Sequence, residues 1–466
     1  MDKTNYYEDV ICARATPSGA SAIAVIRVSG KNSLDILNRI FVSASGKKLV
    51  FKTHRTYYGE IVDSDSNPLD RVLVAVFEKG KSFTGEESFE INCHGSEVII
   101  ALILRILMAN GVRPAEAGEF SKRAFLNGRI TLAEAESIMD IVHSSTDKSA
   151  RIAVRQLSGR LSNEINMIKE MITEMLCSLE VNIDYPEEDL PEESKDWIDS
   201  INLITQNMKV LIDGFERGRY FREGLTAVIL GKTNSGKSTL FNLLINEDKA
   251  IVSDIHGTTR DYLDGVINVK GYGIRVYDTA GLRDTHDLIE KEGTRRAIEI
   301  AQKADFIFYV VSAESGFTED DKNNLTNIER NRRVIFIINK SDLSNKTDDE
   351  NIARFLSDRF EHHRIVSMSA LNKTGLDDFN QSFTALLTND SGYEANDPVI
   401  TNVRHATLIQ TALDSLNPAL SRINEGALDL AAFDLRQALN ALGEITGEVT
   451  PEDIINKIFS DFCVGK

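Results

Sequence analysis

The chain has 466 residues, 42% of them hydrophobic, which is enough for two or three packed cores and too apolar for a disordered polymer. No run approaches the roughly 20 apolar residues of a membrane-spanning helix, and the polar, acidic start Met1–Asp9 is unlike a secretory signal. A formal net charge of −18 argues against autonomous, tight nucleic-acid binding, because basic groups supply most of that affinity, and four scattered cysteines (Cys12, Cys93, Cys177, Cys463) without a CxxC pair argue against a disulfide framework or zinc site and fit a reducing cytosol.

Residues 9–128 mix β and α signals. Ile23–Val28 and Arg71–Phe77 are β-rich runs, and Val98–Met108 is long enough for a buried helix stopped by Asn110-Gly111, so this stretch reads as an α+β domain. Helical signals begin at Thr131-Leu-Ala-Glu134, a capping box in which the threonine hydroxyl accepts from a first-turn amide and the glutamate reaches back. Leu161, Ile165, Ile168, Ile172, Met175 and Leu179 follow at spacings of four and three, a helical packing seam. The acidic run Asp184–Glu193 reads as a solvated loop, and Gly214, Gly218 and Gly224 flank a charged connection into the next domain.

From there, apolar runs at Thr226–Leu230, Ile274–Tyr277, Phe306–Val311, Val334–Ile338 and Arg364–Met368 alternate with helical stretches, the pattern of a parallel, doubly wound sheet. Composition turns loop-like at Asn389–Gly392, and helical patterning returns from Val403 to the end. The simplest division is an N-terminal domain over 1–128, a helical domain with halves 129–220 and 389–466, and an inserted nucleotide domain over 221–388.

Four motifs in that insert carry the chemistry, in the order and at the strand ends a guanine-nucleotide site requires. Gly231-x4-Gly236-Lys237-Ser238 follows a strand; its backbone amides, including those of Asn234, Ser235 and Thr239, curl around phosphates, Lys237 neutralises charge and Ser238 offers a hydroxyl to Mg2+. Thr259, in Gly257-Thr258-Thr259-Arg260, is the natural second hydroxyl on that ion. In Asp278-Thr279-Ala280-Gly281 the aspartate can hold the metal through water and the Gly281 amide can sense the γ-phosphate. Asn339-Lys340-Ser341-Asp342 reads the base, since an aspartate accepts the N1 and N2 hydrogens that adenine lacks, and Ser369-Ala370 stands where a base-supporting loop is expected. Leu282 stands where small signalling GTPases carry a water-orienting glutamine, and no arginine finger is evident. By spacing alone, Asn234 is either a monovalent-cation ligand or a turn residue, and Glu290 either orients water or is a surface charge.

Motifs outside the insert complete a resemblance. Ala15-Thr-Pro-Ser-Gly-Ala with Ile26-Arg27-Val-Ser-Gly30, Ser82–Glu90, Cys93-His94-Gly95, Ala117–Arg129 and the terminal Cys463-Val-Gly-Lys466 are similar to bacterial tRNA-modification GTPases of the MnmE/TrmE family, and the resemblance spans the chain. It implies an α+β N-terminal domain, an all-α helical domain and an inserted α/β Ras-like GTPase domain with a mostly parallel, doubly wound sheet. It further implies a cytoplasmic homodimer, joined through the N-terminal domain, that binds a tetrahydrofolate derivative in its 5-formyl or 5,10-methylene form. By matching position Arg27, Glu90, Arg129 and Lys466 would contact the folate, Arg129 standing where the family often has lysine.

The same resemblance implies GTP, Mg2+ and K+ as cofactors, with K+ held by Asn234, Ser253, Ile255 and Thr258 in place of an arginine finger, and Glu290 as the catalytic group that orients water beside Lys237. A partner subunit of the MnmG/GidA type would carry FAD, and the pair would place an aminomethyl or carboxymethylaminomethyl group on C5 of the wobble uridine of certain tRNAs. Cys463 is a candidate catalytic thiol or a passive neighbour of Phe462. Two rivals remain: a ribosome-assembly, RNA-binding GTPase, which calls for a basic domain that the composition disfavours, and a folate-dependent aminomethyl transferase fused to an unrelated GTPase.

Overall fold

The structure, a computed structural model, describes residues 9–46, 49–185, 194–247, 263–278, 300–343, 349–387 and 400–465. Residues 186–193 of the acidic run and the loop expected at Asn389–Gly392 lie outside them. The chain divides into two compact units: Met1–Met139, Gln156–Ile201 and Thr411–Lys466 form one, and Asp140–Arg155 with Asn202–Gln410 the other. Among the described residues no helix is long and apolar enough to cross a membrane.

In the first unit β1 (Ile11–Arg14), β2 (Ser21–Ser29), β3 (Phe41–Ser43), β4 (Arg55–Val62), β5 (Pro68–Phe77), β6 (Ser88–Gly95) and β7 (Arg113–Pro114) form a seven-stranded sheet, ordered β3-β4-β5-β6-β2-β1-β7. Period-two burial gives it one core face: Ala24, Ile26 and Val28 on β2, Val72, Val74 and Val76 on β5, Phe89, Ile91 and Cys93 on β6. Helices α1 (Ser33–Ile40) and α2 (Glu97–Ala109) cover that face. The expected buried helix over Val98–Met108 is α2, but it buries only the stripe Ile100, Ile103 and Leu107; Val98 is 67% exposed. A helix resting on one face of a sheet has a solvent side whatever its composition.

In chain order then follow α3 (Glu119–Leu126), α4 (Leu132–His143), α5 (Asp147–Leu157), which lies in the second unit as far as Arg155, and α6 (Arg160–Asp184), which is back in the first. Both arms of the expected capping box form: the Glu134 amide donates to Thr131 Oγ1 at 3.2 Å, and the Thr131 amide donates to Glu134 Oε2 at 2.9 Å. All six seam residues of α6 are buried, and the helix Leu428–Thr446 packs along it.

A charge cluster that no local pattern reveals underlies this unit. Arg123, fully buried, donates to Asp9 Oδ1 at 2.7 Å and Glu119 Oε1 at 2.8 Å, and reaches Glu86 at 3.3 Å; Glu119 also accepts from Arg113 at 2.6 Å. Burial alone would raise the Glu119 carboxyl, but hydrogen bonds from Arg113, the Glu116 amide and Arg123 outweigh it and hold the group below the usual range. Its stabilising contribution is therefore complete at neutral pH and is lost as pH falls through that depressed value. Glu86 is the reverse: burial outweighs Arg123, so its carboxyl sits above the usual range and its ionisation costs stability at neutral pH. Arg123→Met should destabilise the unit by about 3–5 kcal/mol at pH 7, because Glu119 and Glu86 stay buried with a cation gone. Urea titration followed by fluorescence of buried Trp197, the single tryptophan, measures this within the same unit. The deficit should narrow as acid protonates the carboxylates.

In the second unit β8 (Leu225–Leu230), β9 (Leu263–Val269), β10 (Tyr272–Asp278), β11 (Phe306–Ser312), β12 (Arg333–Asn339) and β13 (His362–Ser367) form a sheet ordered β13-β12-β11-β8-β10-β9. All neighbours are parallel except β9 and β10. The five strands expected from sequence are present. Strand β9 has no counterpart among the expected runs, because Asp264-Gly265 interrupts its apolar stretch. A two-residue turn joins it to β10, with Lys270 at φ 53° and Gly271 at φ 92°, the doubly positive geometry that matches strand twist.

Helix α7 (Ser194–Asp213) precedes the charged connection, which itself folds as α8 (Phe215–Glu223) and buries Tyr220 and Phe221. The turn at Gly271 is gripped from α5 and the residue before it. Thr146 Oγ1 donates to the Gly271 carbonyl at 2.9 Å, and Lys148 Nζ lies 4.5 Å from the centre of the Phe221 ring, which stacks on Tyr272 at 4.4 Å.

Candidate functional site

Strand β8 lies between β10 and β11, where the winding of the parallel sheet reverses and ligands bind beyond the carboxyl ends of strands. It delivers Gly231 into the loop that precedes α9 (Lys237–Glu247). A side chain is impossible at either glycine. Gly231 has φ 138°, and a Cβ there would stand 2.1 Å from the Val310 carbonyl; Gly236 has φ 95°, and a Cβ would stand 2.2 Å from Asn339 Nδ2. Ser238 and Thr239 are exposed on the first turn of α9, whose orphan amides and dipole favour an anion. Asn234 is exposed in the loop at φ 62°. Lys237 is buried and donates from Nζ to the Lys232 carbonyl at 2.7 Å, which Ser235 Oγ also reaches at 2.9 Å.

Strand β12 ends at Asn339, and both ends of its carboxamide are used on backbone. Nδ2 donates to the Ser235 carbonyl at 3.0 Å and Oδ1 accepts from the Ala370 amide at 3.0 Å. Asn339 thus braces the phosphate loop to the Ser369-Ala370 loop, and Asp342 stands exposed beyond it. The Ser341 amide donates to the Met368 carbonyl at 3.2 Å, and Ser369 and Thr374 exchange two backbone bonds. Lys340, at φ 61°, has Nζ 4.0 Å from Glu314. Asp278 ends β10 directly opposite Ile229 of β8. The Asp278 side chain, Thr279, Ala280, Gly281, Ser253, Ile255, Thr258, Thr259 and Glu290 lie outside the described residues.

A second cluster forms in the first unit. Arg27 on β2 and Glu90 on β6 are direct register partners, and their side chains pair at 2.9 Å. The Arg27 guanidinium lies 5.6 Å from the Phe120 ring and 6.0 Å from that of Phe83, which is 41% exposed. The carboxyl-terminal tail comes to the same place: Arg27 donates to the Gly465 carbonyl at 3.4 Å, Val464 bridges Ala117, and the Gly118 amide donates to the Cys463 carbonyl. Gly465 has φ 99°, and a Cβ there would stand 2.3 Å from the Arg14 carbonyl, so the tail can lie down only with glycine. Arg129 is exposed, its methylenes against Gly85; Lys466 lies outside the described residues. Phe462 is buried against Phe459 with ring centres 5.2 Å apart, whereas the Cys463 side chain is exposed.

A glycine-locked phosphate loop at the sheet's switch point, tied to an Asn-Lys-Ser-Asp corner, defines a P-loop protein of the guanine-nucleotide class. Residues 10–129 match the family model of the GTP-binding protein TrmE N-terminus, and residues 132–463 match that of the MnmE helical domain. The tRNA modification GTPase MnmE of Acetivibrio thermocellus is 39% identical over 99% of this chain and 100% of its own length. That of Carboxydothermus hydrogenoformans is 41% identical over 98% of this chain and 100% of its own. The chain belongs to the MnmE family of tRNA modification GTPases. A solved variant of Aquifex aeolicus Era bound to GDP.AlF4- matches 41% of this chain and 66% of its own at 26% identity, with a TM-score of 0.27, too low to bear on fold or ligand.

Proposed function

We propose that this chain is a K+-activated GTPase that, with an FAD-dependent partner subunit, installs the aminomethyl or carboxymethylaminomethyl group on C5 of the wobble uridine of certain tRNAs. The coarser activity comes with the family: a GTP hydrolase of tRNA modification, with tRNA as substrate. The observation that supports the reading is the bracing through Asn339, which ties the loop that would hold phosphate to the loop that would frame the base.

Within that frame the roles follow chemistry. Lys237, Gly236 and the first-turn amides of α9 would hold the phosphates. Ser238 and Thr259 would ligate Mg2+, with Asp278 acting through water, and the ion would neutralise charge on the β- and γ-oxygens. The exposed Ser238 hydroxyl on the first turn of α9 fits that duty. Asn234, in the loop and exposed, suits a monovalent cation shared with Ser253, Ile255 and Thr258; K+ there would supply positive charge where an arginine finger stands in other GTPases. Glu290 would orient water. Asp342 would accept from the guanine edge, with Ser369, Ala370 and Lys340 framing the base and Thr279, Ala280 and Gly281 facing the γ-phosphate.

The tail cluster is the proposed folate site. Arg27, Arg129 and Lys466 are cations for an anionic glutamate tail, and Glu90 can accept from pterin N–H groups. Exposed Phe83 beside half-buried Arg27 fits a flat, polar-edged ring better than a purely ionic ligand, with buried Phe120 backing the guanidinium from within. Homodimerisation through the N-terminal domain, the division at 128, 220 and 388, and a cytoplasmic location belong to the same proposal. Its test is a nucleoside profile of tRNA from cells lacking this chain. Loss of the C5-modified wobble uridines supports it; an unchanged profile beside a ribosome-assembly defect would overturn it.

A further inference from the structure

Lys232 is part of the phosphate loop, yet its side chain leaves the phosphate side. Nζ lies 2.9 Å from Asp320 Oδ2, hydrogen-bonds to Thr318 Oγ1 and stands 3.7 Å from Asp321 Oδ2, all at the start of the helix Glu319–Thr326. Asp320 is exposed, but Asp321 and Thr318 are themselves held. Asp321 is buried and accepts from the Thr318 amide at 3.0 Å and Thr318 Oγ1 at 2.7 Å, closing a capping box. Its other oxygen accepts from the hydroxyl of Tyr309, buried on β11, at 3.0 Å. Lys232's hydrogen bond to Asp320 raises its ammonium above the usual lysine range, so the tie is ionic throughout the physiological interval.

The backbone of the same residue is the hub of the loop. Its carbonyl accepts from Lys237 Nζ at 2.7 Å, Ser235 Oγ at 2.9 Å and the Ser235 amide at 3.4 Å. The loop holds two glycines and a non-glycine residue, Asn234, at positive φ, so an untethered version would sample many shapes. Ordering it when nucleotide arrives would be subtracted from affinity. Asn339 ties the far end of the loop and Lys232 ties the near end.

We propose that Lys232 is a positioning residue for guanine-nucleotide binding: its tether to Thr318, Asp320 and Asp321 holds the phosphate loop in the shape that aims Lys237 and the loop amides at the phosphates. The proposal rests on the nucleotide site described above. It assigns the start of helix Glu319–Thr326 a role in substrate affinity although that helix carries none of the four nucleotide motifs.

The test uses the full chain and fluorescent GDP and GTP in stopped flow. Lys232→Met should raise the nucleotide dissociation rate by on the order of tenfold, with affinity falling more than kcat. Lys232→Arg should recover most of that loss, since Arg keeps the ionic tie. Asp320→Asn should show a smaller effect, and the Lys232→Met/Asp320→Asn double variant should be no worse than Lys232→Met alone, because both remove one interaction. The wild-type advantage should shrink in high salt. A Met variant with wild-type dissociation rates, additive effects in the double variant, or a fall in melting temperature with no change in dissociation would each overturn the proposal. Wild-type protein that holds no guanine nucleotide would overturn the nucleotide site itself.

Discussion

Asp342→Asn should cost GTP and GDP on the order of 10⁴ in affinity and transfer preference to the xanthine nucleotides. The reason is donor and acceptor matching. A carboxylate accepts both the N1 and N2 hydrogens of guanine, whereas the asparagine amide sets its own donor against one of them and leaves both unpaired once the base covers them. Xanthine carries a carbonyl where guanine has its amino group, so the same amide donor finds an acceptor. The geometry makes this a local test. Asp342 is exposed at the corner after β12, while the frame around it is held independently by Asn339 to Ser235 and Ala370 and by Ser341 to Met368. Titration of fluorescent GDP and XDP against the variant measures the exchange. Unchanged GDP affinity would remove Asp342 from the base pocket.

The second large effect concerns the cation. Replacing K+ by Na+ should lower kcat for GTP hydrolysis by about 10³-fold, the lower end of what charge stabilisation by a finger residue supplies. Asn234→Ala should give the same slow rate in either salt. The physical ground is that no glutamine follows Gly281 and no cis arginine is evident, so positive charge must come from elsewhere. Asn234 is the exposed residue of the loop held at φ 62°, a conformation asparagine tolerates and β-branched residues do not. Steady-state phosphate release in K+, Na+ and mixed salts at constant ionic strength decides the matter. Equal rates in both salts would dismiss the cation-finger mechanism, and a K+-dependent Asn234→Ala enzyme would dismiss this residue as the ligand.

Much of the nucleotide site was legible because its chemistry is local. Curling amides around a phosphate takes two glycines, a lysine and a hydroxyl within eight residues, and those survive as Gly231–Ser238 in any reading of the string. The capping box at Thr131 and the α6 seam were legible for the same reason, since a helix couples residues three and four apart. Strand β9 escaped because its polar interruption broke the apolar run, and the pairing that defines it is made to β10.

Short-range pattern was therefore enough for the class of chemistry, for most of the strands and helices around it, and for family membership through motifs at both ends of the chain. Which residues share a task across long separations emerged from the packed fold. Arg27 meets Gly465 over 438 positions, Asn339 joins Ser235 over 104, and Lys232 finds Asp320 over 88. Buried Arg123 gathers Asp9, Glu86 and Glu119 in the same way. Such contacts carry no periodicity. They form because burying a charge or an amide demands a partner, and the fold alone determines which partner is within reach.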